Sequence, residues 1–185
     1  MASQNTSSEY SSTAKWLHWS VAIGVFVLLW LGLQQAGMER GPEKSELRAL
    51  HASVALIVLV LMTVRLVWRF LNGVPAHPDG MPGWQRATST LVHWGLYISV
   101  FVQLISGSMT VATGGNALPF FGLFSIALPI VENDESHEFW EEIHEFAWII
   151  IAAFLIVHVL GALYNHFVLK NDVLRRMTIG VRKGS

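Results

Sequence analysis

The chain has no cysteine among its 185 residues. That absence excludes iron–sulfur ligation, covalent c-type haem attachment and structural disulfides, whichever compartment its loops face. Charge is scarce as well: Asp, Glu, Lys and Arg make up 14% of the residues, against about 25% in an average soluble domain. There is no P-loop, dinucleotide fingerprint or internal repeat. Flavin or nicotinamide chemistry is therefore not indicated within this chain, and no nucleic-acid partner is expected. The polar, Ser/Thr-rich N-terminal tail, residues 1–14, has no basic stretch before Lys15. The apolar run behind it is too long for a leader core and reads as a retained helix.

What the chain does have is hydrocarbon. Hydrophobic residues make up 52% and the mean hydropathy is +0.45. Four runs, Trp16–Gln35, Leu50–Leu71, Leu91–Val111 and Phe146–Val168, each reach the ~20 residues that a spanning helix needs. None shows strand alternation, and only internally hydrogen-bonded helices or closed barrels can span. The expectation is an all-α protein, a four-helix transmembrane bundle forming one domain over residues 15–177, followed by a basic tail over 178–185. The Gly-, Pro- and Phe-rich stretch Thr113–Val131 is too broken for another span and reads as an interfacial loop or short re-entrant lid. Val74–Pro82 reads as a turn region, and the basic tail should lie against anionic lipid headgroups.

The most specific pattern lies on the fourth run, where His144 and His158 stand fourteen residues apart. Fourteen steps of ~100° fall ~40° short of four turns, so both rings leave one helix face, ~21 Å apart along the axis. Two imidazoles stacked at different membrane depths suit two metal centres, one above the other. The chemistry expected is haem iron and transmembrane electron transfer.

Charge placement orients the bundle. With both termini cytoplasmic, nine of the Lys and Arg residues fall inside and only Arg40, Lys44 and Arg48 fall outside, which follows the positive-inside rule. His18 then lies at the inner end of helix 1, His51 at the outer end of helix 2, His144 outside and His158 deep towards the inside. The depths pair His51 with His144 and His18 with His158, and bis-imidazole ligation from facing helices is how a bundle holds b-type haem. The same step leads from His18 to Gly32 and from His93 to Gly107, glycines expected to let the backbone approach a macrocycle. It leads from His51 to Arg65 at the inner site, where a haem propionate is the expected partner. Arg48, beside the outer ligand, reads as a propionate contact or an interfacial anchor, and Arg69 as a snorkelling residue.

The blocks Trp16-Leu17-His18-Trp19, Leu50-His51-Ala52, Val64-Arg65-Leu66-Val67-Trp68-Arg69 and Glu142-Ile143-His144-Glu145 resemble the prokaryotic cytochrome b561 family. So do His158 and the tail from His166 to Met177, and the likeness runs from Lys15 to Met177. The resemblance implies a multi-pass di-haem b protein of a bacterial inner membrane with His18, His51, His144 and His158 as ligands to two haem b groups. One branch of that family is a superoxide oxidase, which passes electrons from periplasmic superoxide to ubiquinone.

The outer face is acidic: Glu39, Glu43, Glu46 and the run of acids between Glu132 and Glu145 all fall there. Such a field repels superoxide unless Arg40, Lys44 and Arg48 form a basic gate, and it suits docking of a basic periplasmic electron-carrier protein. Two functions are therefore carried forward, a superoxide:quinone oxidoreductase and a non-catalytic electron-conducting subunit. A transporter using the intramembrane histidines is a third, and it predicts no haem spectrum. His93 reads as a rival ligand, a quinone contact or a satisfied core residue. His166 reads as a solvated interfacial group or a proton donor to quinone, and His77 and His137 as solvated. The tryptophans at helix ends read as an aromatic belt.

Overall fold

The computed structural model of the chain describes residues 9–78 and 80–178. Most of the two tails read from the sequence, with Arg182 and Lys183, lies outside the described residues. Four long helices, α1 (Ser12–Ala36), α2 (Pro42–Asn72), α3 (Gly83–Thr113) and α4 (Asp134–Phe167), run alternately up and down. A short hairpin, β1 (Leu118–Phe120) and β2 (Phe124–Ile126), and a one-turn helix α5 (Val173–Met177) complete the described structure. Trp19 Nε1 donates to the Met177 carbonyl and Trp68 Nε1 to Ser11 Oγ. Those bonds gather both chain ends at one end of the bundle, called here the terminal end; the opposite one is the hairpin end.

Each of the four apolar runs forms a helix, and all four helices are long and apolar enough to cross a membrane. Their lengths of 25 to 34 residues correspond to ~37–51 Å, more than the ~30 Å of a hydrocarbon core. The excess is polar and carries start signals that hydropathy does not report. Pro42 opens α2 at a position where its missing N–H costs nothing. Asn133 accepts from Ser136 N at 2.7 Å ahead of Asp134 and Glu135, a cap with its dipole complement. Gly73, at φ 68°, ends α2 and donates to the Arg69 carbonyl, a conformation that only glycine adopts at little cost.

Large apolar side chains cover the exterior: Ile23, Phe26, Val60 and Leu160 each expose more than half their surface, a surface suited to lipid rather than water. The small core draws Val21 from α1, Val58 and Met62 from α2, Tyr97, Val100 and Leu104 from α3, and Ile151 from α4. Helix α1 packs along α2 and α3 along α4, while α2 meets α3 more sparsely. By contrast α4 scarcely approaches the backbones of α1 or α2. Side chains rather than close backbone packing therefore bridge α4 to the two helices bearing His18 and His51.

The stretch expected as a loop or lid folds around the hairpin instead, which packs on the hairpin end of α2. Its turn places Phe121 (φ 49°) and Gly122 (φ 71°) in the left-handed region, closed by Leu123 N to Phe120 O at 2.9 Å. This mirror-image turn matches strand twist, but it strains a phenylalanine. Ser53 of α2 offsets the strain: its Oγ accepts from Phe121 N at 2.9 Å and lies 3.1 Å from the Pro119 carbonyl. Strands this short carry no periodicity, so their pairing is set by the docking.

At the terminal end, buried Gln85 of α3 donates to Asn165 Oδ1 of α4 at 3.1 Å, and Asn171 donates to the same oxygen at 2.6 Å. Asn165→Leu leaves both donors without their acceptor and is expected to destabilise by about 1–3 kcal/mol. A thermal melt of the detergent-solubilised protein measures it; an unchanged midpoint would show that water replaces the bond.

Candidate functional site

The four helices share one register. Seven residues turn ~700°, ~20° short of two turns, so a seven-residue step keeps a face. On α1 this face carries His18, Val25 and Gly32; on α2, His51, Val58 and Arg65; on α3, His93, Val100 and Gly107; on α4, His144, Ile151 and His158. Because the helices alternate in direction, the residues form three layers. His18, Arg65, His93 and His158 make a tier towards the terminal end, and Gly32, His51, Gly107 and His144 a tier towards the hairpin end. Between them lies an aliphatic layer in which Val58, Val100 and Ile151 are buried and Val25 packs against them.

In the hairpin-end tier the His51 and His144 rings stand 6.2 Å apart, centroid to centroid, at 79°. His144 Nδ1 lies 2.9 Å from the Gln103 carbonyl, and a carbonyl only accepts, so Nδ1 carries the proton. Nε2 is then a lone pair, and the Gln103 side-chain amide donates to it at 3.1 Å. Ser106 Oγ supports Nδ1 from 3.3 Å. His51 Nδ1 and Gln103 Oε1 are buried without a partner. The glycines face rings rather than open space: a Cβ at Gly107 would stand 2.7 Å from His144 Cε1, one at Gly32 3.7 Å from His51 Cε1. Each of these glycines, expected from the sequence to let the backbone approach a macrocycle, shares a layer with the imidazole opposite and leaves room for that ring.

In the terminal-end tier the His18 and His158 rings also stand 6.2 Å apart, at 53°. Arg65 Nη2 lies 2.9 Å from His18 Nδ1, and its guanidinium sits 5.2 Å over the Tyr97 ring. Arg69 reaches the Trp94 and Tyr97 rings at 5.4 and 5.6 Å, so it is held by aromatic faces and does not simply snorkel. Tyr10 closes this end; burial raises its phenol above the ordinary value against the opposing pull of Arg69 and Arg65. His93 stands 5.2 Å from His158 at 75°, with Ser89 Oγ 3.3 Å from its Nδ1.

Both pairs fit a bis-imidazole centre. With metal–nitrogen bonds of ~2 Å and a ring centre ~1.1 Å behind each nitrogen, two imidazoles holding one metal from opposite sides would have centroids ~6.2 Å apart. His93 is closer to His158 than two such rings can stand, which favours His18 over it. The wide backbone spacing of α4 from α1 and α2, the partnerless His51 Nδ1 and the Nδ1–H tautomer of His144 fit the same group. Among the described residues no three His, Asp or Glu side chains gather around one bare-ion position; haem iron asks the protein for only two.

The sequence matches the family model for prokaryotic cytochrome b561 over residues 9–180. The chain belongs to the prokaryotic cytochrome b561 family. This cytochrome b561 is 31% identical over 176 residues to cytochrome b561 homolog 1 of Escherichia coli (strain K12), covering 91% of this chain and 96% of the relative. It is 25% identical over 185 residues to cytochrome b561 homolog 2 of the same organism, covering 96% and 95%. A probable superoxide oxidase CybB of Yersinia pestis is 23% identical over 172 residues, covering 91% and 95%. Membership makes this b561 a membrane electron-transfer protein that binds haem b.

Sequence reasoning missed Gln103 and Ser106, which hold His144 from the neighbouring helix and have no motif of their own. The middle layer was within reach, since it falls at half the fourteen-residue step. His137, read as solvated, is bonded through Nδ1 to the Thr110 carbonyl at 2.8 Å and clasps α4 to the end of α3. His166 lines an open cavity of about 240 Å³ with Lys170, Asn171, Asp172 and Arg175, away from both tiers. Arg48 is exposed and, among the described residues, lies in no ion pair.

Proposed function

We propose that this cytochrome b561 is a di-haem quinone reductase of a bacterial inner membrane, with both termini cytoplasmic. It oxidises superoxide at the periplasmic, hairpin end and reduces ubiquinone. His51 and His144 would hold one haem b, His18 and His158 the other. The observation that carries this reading is the pair of equal 6.2 Å histidine separations, one in each tier. Bound haem supplies reversible one-electron chemistry; the chain supplies spacing, ligand tautomer and a dry interior. Two superoxide anions lose one electron each and leave as dioxygen, while one ubiquinone takes up two electrons and two protons and becomes ubiquinol.

The acidic hairpin end is compatible with an anionic substrate because its charges are sorted by face. At ~100° per residue, Lys44 and Arg48 lie within ~60° of His51 on α2. On the same count Glu135, Glu138, Glu142 and Glu145 lie ~100–180° from His144 around α4, while Glu141 lies ~60° and Asp134 ~80° from it, and all six are exposed. A basic strip thus leads to one candidate ligand, His51, while most of the α4 acids point away and Glu141 stays near His144, and local potential rather than net charge steers a small ion. Arg48 and Arg65 would bind haem propionates, and His93 and His166 are the candidates for the quinone side. The segregated acidic face of α4 also favours a second reading, an electron-conducting subunit that docks a basic periplasmic redox protein.

A superoxide pulse mixed with the oxidised holoprotein in a stopped-flow instrument separates the two. Superoxide:quinone chemistry should bring up reduced b-type bands that decay faster with ubiquinone present. A protein reducible by dithionite yet inert to superoxide would sink the first reading. A complex with a basic redox protein that dissociates at high salt would establish the second.

A further inference from the structure

The two tiers match in spacing but not in the charge that touches a candidate ligand: Arg48 and Lys44 near His51 lie towards the surface, with no bond among the described residues to either ring of their tier. Arg65 places a guanidinium against His18 in the terminal-end tier. Among the described residues no carboxylate lies within 4 Å of it, and its other neighbours are the Tyr97 ring and Arg69, which shares that ring. The long polar side chain in the equivalent place of the hairpin-end tier is Gln103, a neutral amide on His144 Nε2. The ligand environments differ in the same sense. His144 donates Nδ1–H to a backbone carbonyl, which makes an imidazole a stronger electron donor to a metal. His18 has no such carbonyl: among the described residues the one hydrogen-bond partner of its ring is the Arg65 guanidinium, which cannot accept a proton from it.

We propose that Arg65 makes the terminal-end site the stronger electron acceptor of the two, so that electrons run downhill from the hairpin end to the terminal end. This rests on the two-haem reading above and adds a direction to it. One-electron reduction adds one negative charge to a site. A fixed cation in a poorly screened interior stabilises that added charge, and a neutral amide does not. A His18 ligated through Nε2 carries its proton on Nδ1, so Arg65 must then turn from that nitrogen. Tyr97 and the carboxylates of a bound haem are its alternatives, and both keep the cation in the same tier. Arg69 reinforces the sign from one turn further along α2.

The test is a mediated redox titration of the holoprotein followed in the visible spectrum. His144→Ala and His158→Ala chains, each keeping one site, assign the two components. The component surviving in His144→Ala should be the higher-potential one. Arg65→Gln should shift that component about tenfold towards the oxidised form, ~59 mV for one electron. It should leave the component surviving in His158→Ala where it was. Arg65→Lys should restore most of the shift, which a purely structural role for Arg65 does not predict. The reverse order of the two components, or an Arg65→Gln shift that falls on the hairpin-end site, overturns the proposal. If Arg65→Gln fails to load, the order in the two histidine variants still decides. Haem quantification separates this failure from that of the underlying reading: one haem per wild-type chain refutes the two-site arrangement itself.

Discussion

On the proposed two-haem reading, a His144→Ala chain is expected to purify with one haem where the wild type would hold two, and His158→Ala to lose the other. Each substitution removes one of the two proposed protein ligands to its site, and only His93 beside His158 offers a second imidazole in the layer. For His144 the nearest polar group is the Gln103 amide, whose nitrogen has no lone pair to offer a metal. For His158 the neighbour is His93 at 5.2 Å. It leans on the ring that is lost, so partial rescue there would show as a shifted spectrum rather than full retention. The surviving site should be unaffected, because the tiers are ~21 Å apart along α4 and the buried Val58, Val100 and Ile151 stand between them. Separated sites without shared partners behave additively. Haem per chain, with the visible spectrum of each variant, measures the outcome. Either variant retaining both haems with an unchanged spectrum would falsify the pairing.

The second large effect concerns a residue with no side chain. Gly107→Leu should cut loading of the hairpin-end site by tenfold or more while the terminal-end site still fills. The added Cβ alone would stand 2.7 Å from His144 Cε1 and 2.9 Å from Nδ1, distances at which something must move. The ring cannot retreat without leaving the Gln103 carbonyl, 2.9 Å from Nδ1, and the Ser106 hydroxyl. Losing such orienting bonds typically costs 10–100-fold in metal affinity. Gly32→Ala is the control: its Cβ would meet His51 Cε1 at 3.7 Å, ordinary contact, so both sites should load. Titrating haem into the two purified apo variants distinguishes them, and equal affinity in both would remove any role for the close approach at Gly107.

How much could be read beforehand depends on whether the information was local. Apolar length and helical period are local, so the four spans were legible, although α2 and α4 begin eight and twelve residues earlier than their apolar runs. Those polar turns project past the hydrocarbon thickness, and only caps announce them. The depth pairing of the histidines was legible because a helix converts spacing into angle and height. Contacts between helices were not legible. Nothing near Ser53 indicates that it holds a hairpin 66 residues away, and nothing near His137 indicates that it bonds Thr110. Arg65 sits in between: its tier followed from the fourteen-residue step, but its bond to His18 needed the packing of α1 on α2. Gln103 was the largest omission, a polar residue in an apolar span whose orphaned Oε1 marks it only once the fold is known.

The rise from His144 to His158 has an electrical consequence. The ~21 Å between them is ~0.7 of a ~30 Å hydrocarbon core. A unit charge crossing the whole core does work of about 2.3 kcal/mol per 100 mV, so one crossing that fraction does about 1.6 kcal/mol. In the proposed orientation each electron moves towards the negative side of an energised membrane. Every 100 mV of membrane potential then opposes the transfer by slightly more than a factor of ten in equilibrium. On that reading the bundle would act as a small capacitor: the driving force for each inward electron would shrink as the membrane becomes energised and return as the potential collapses.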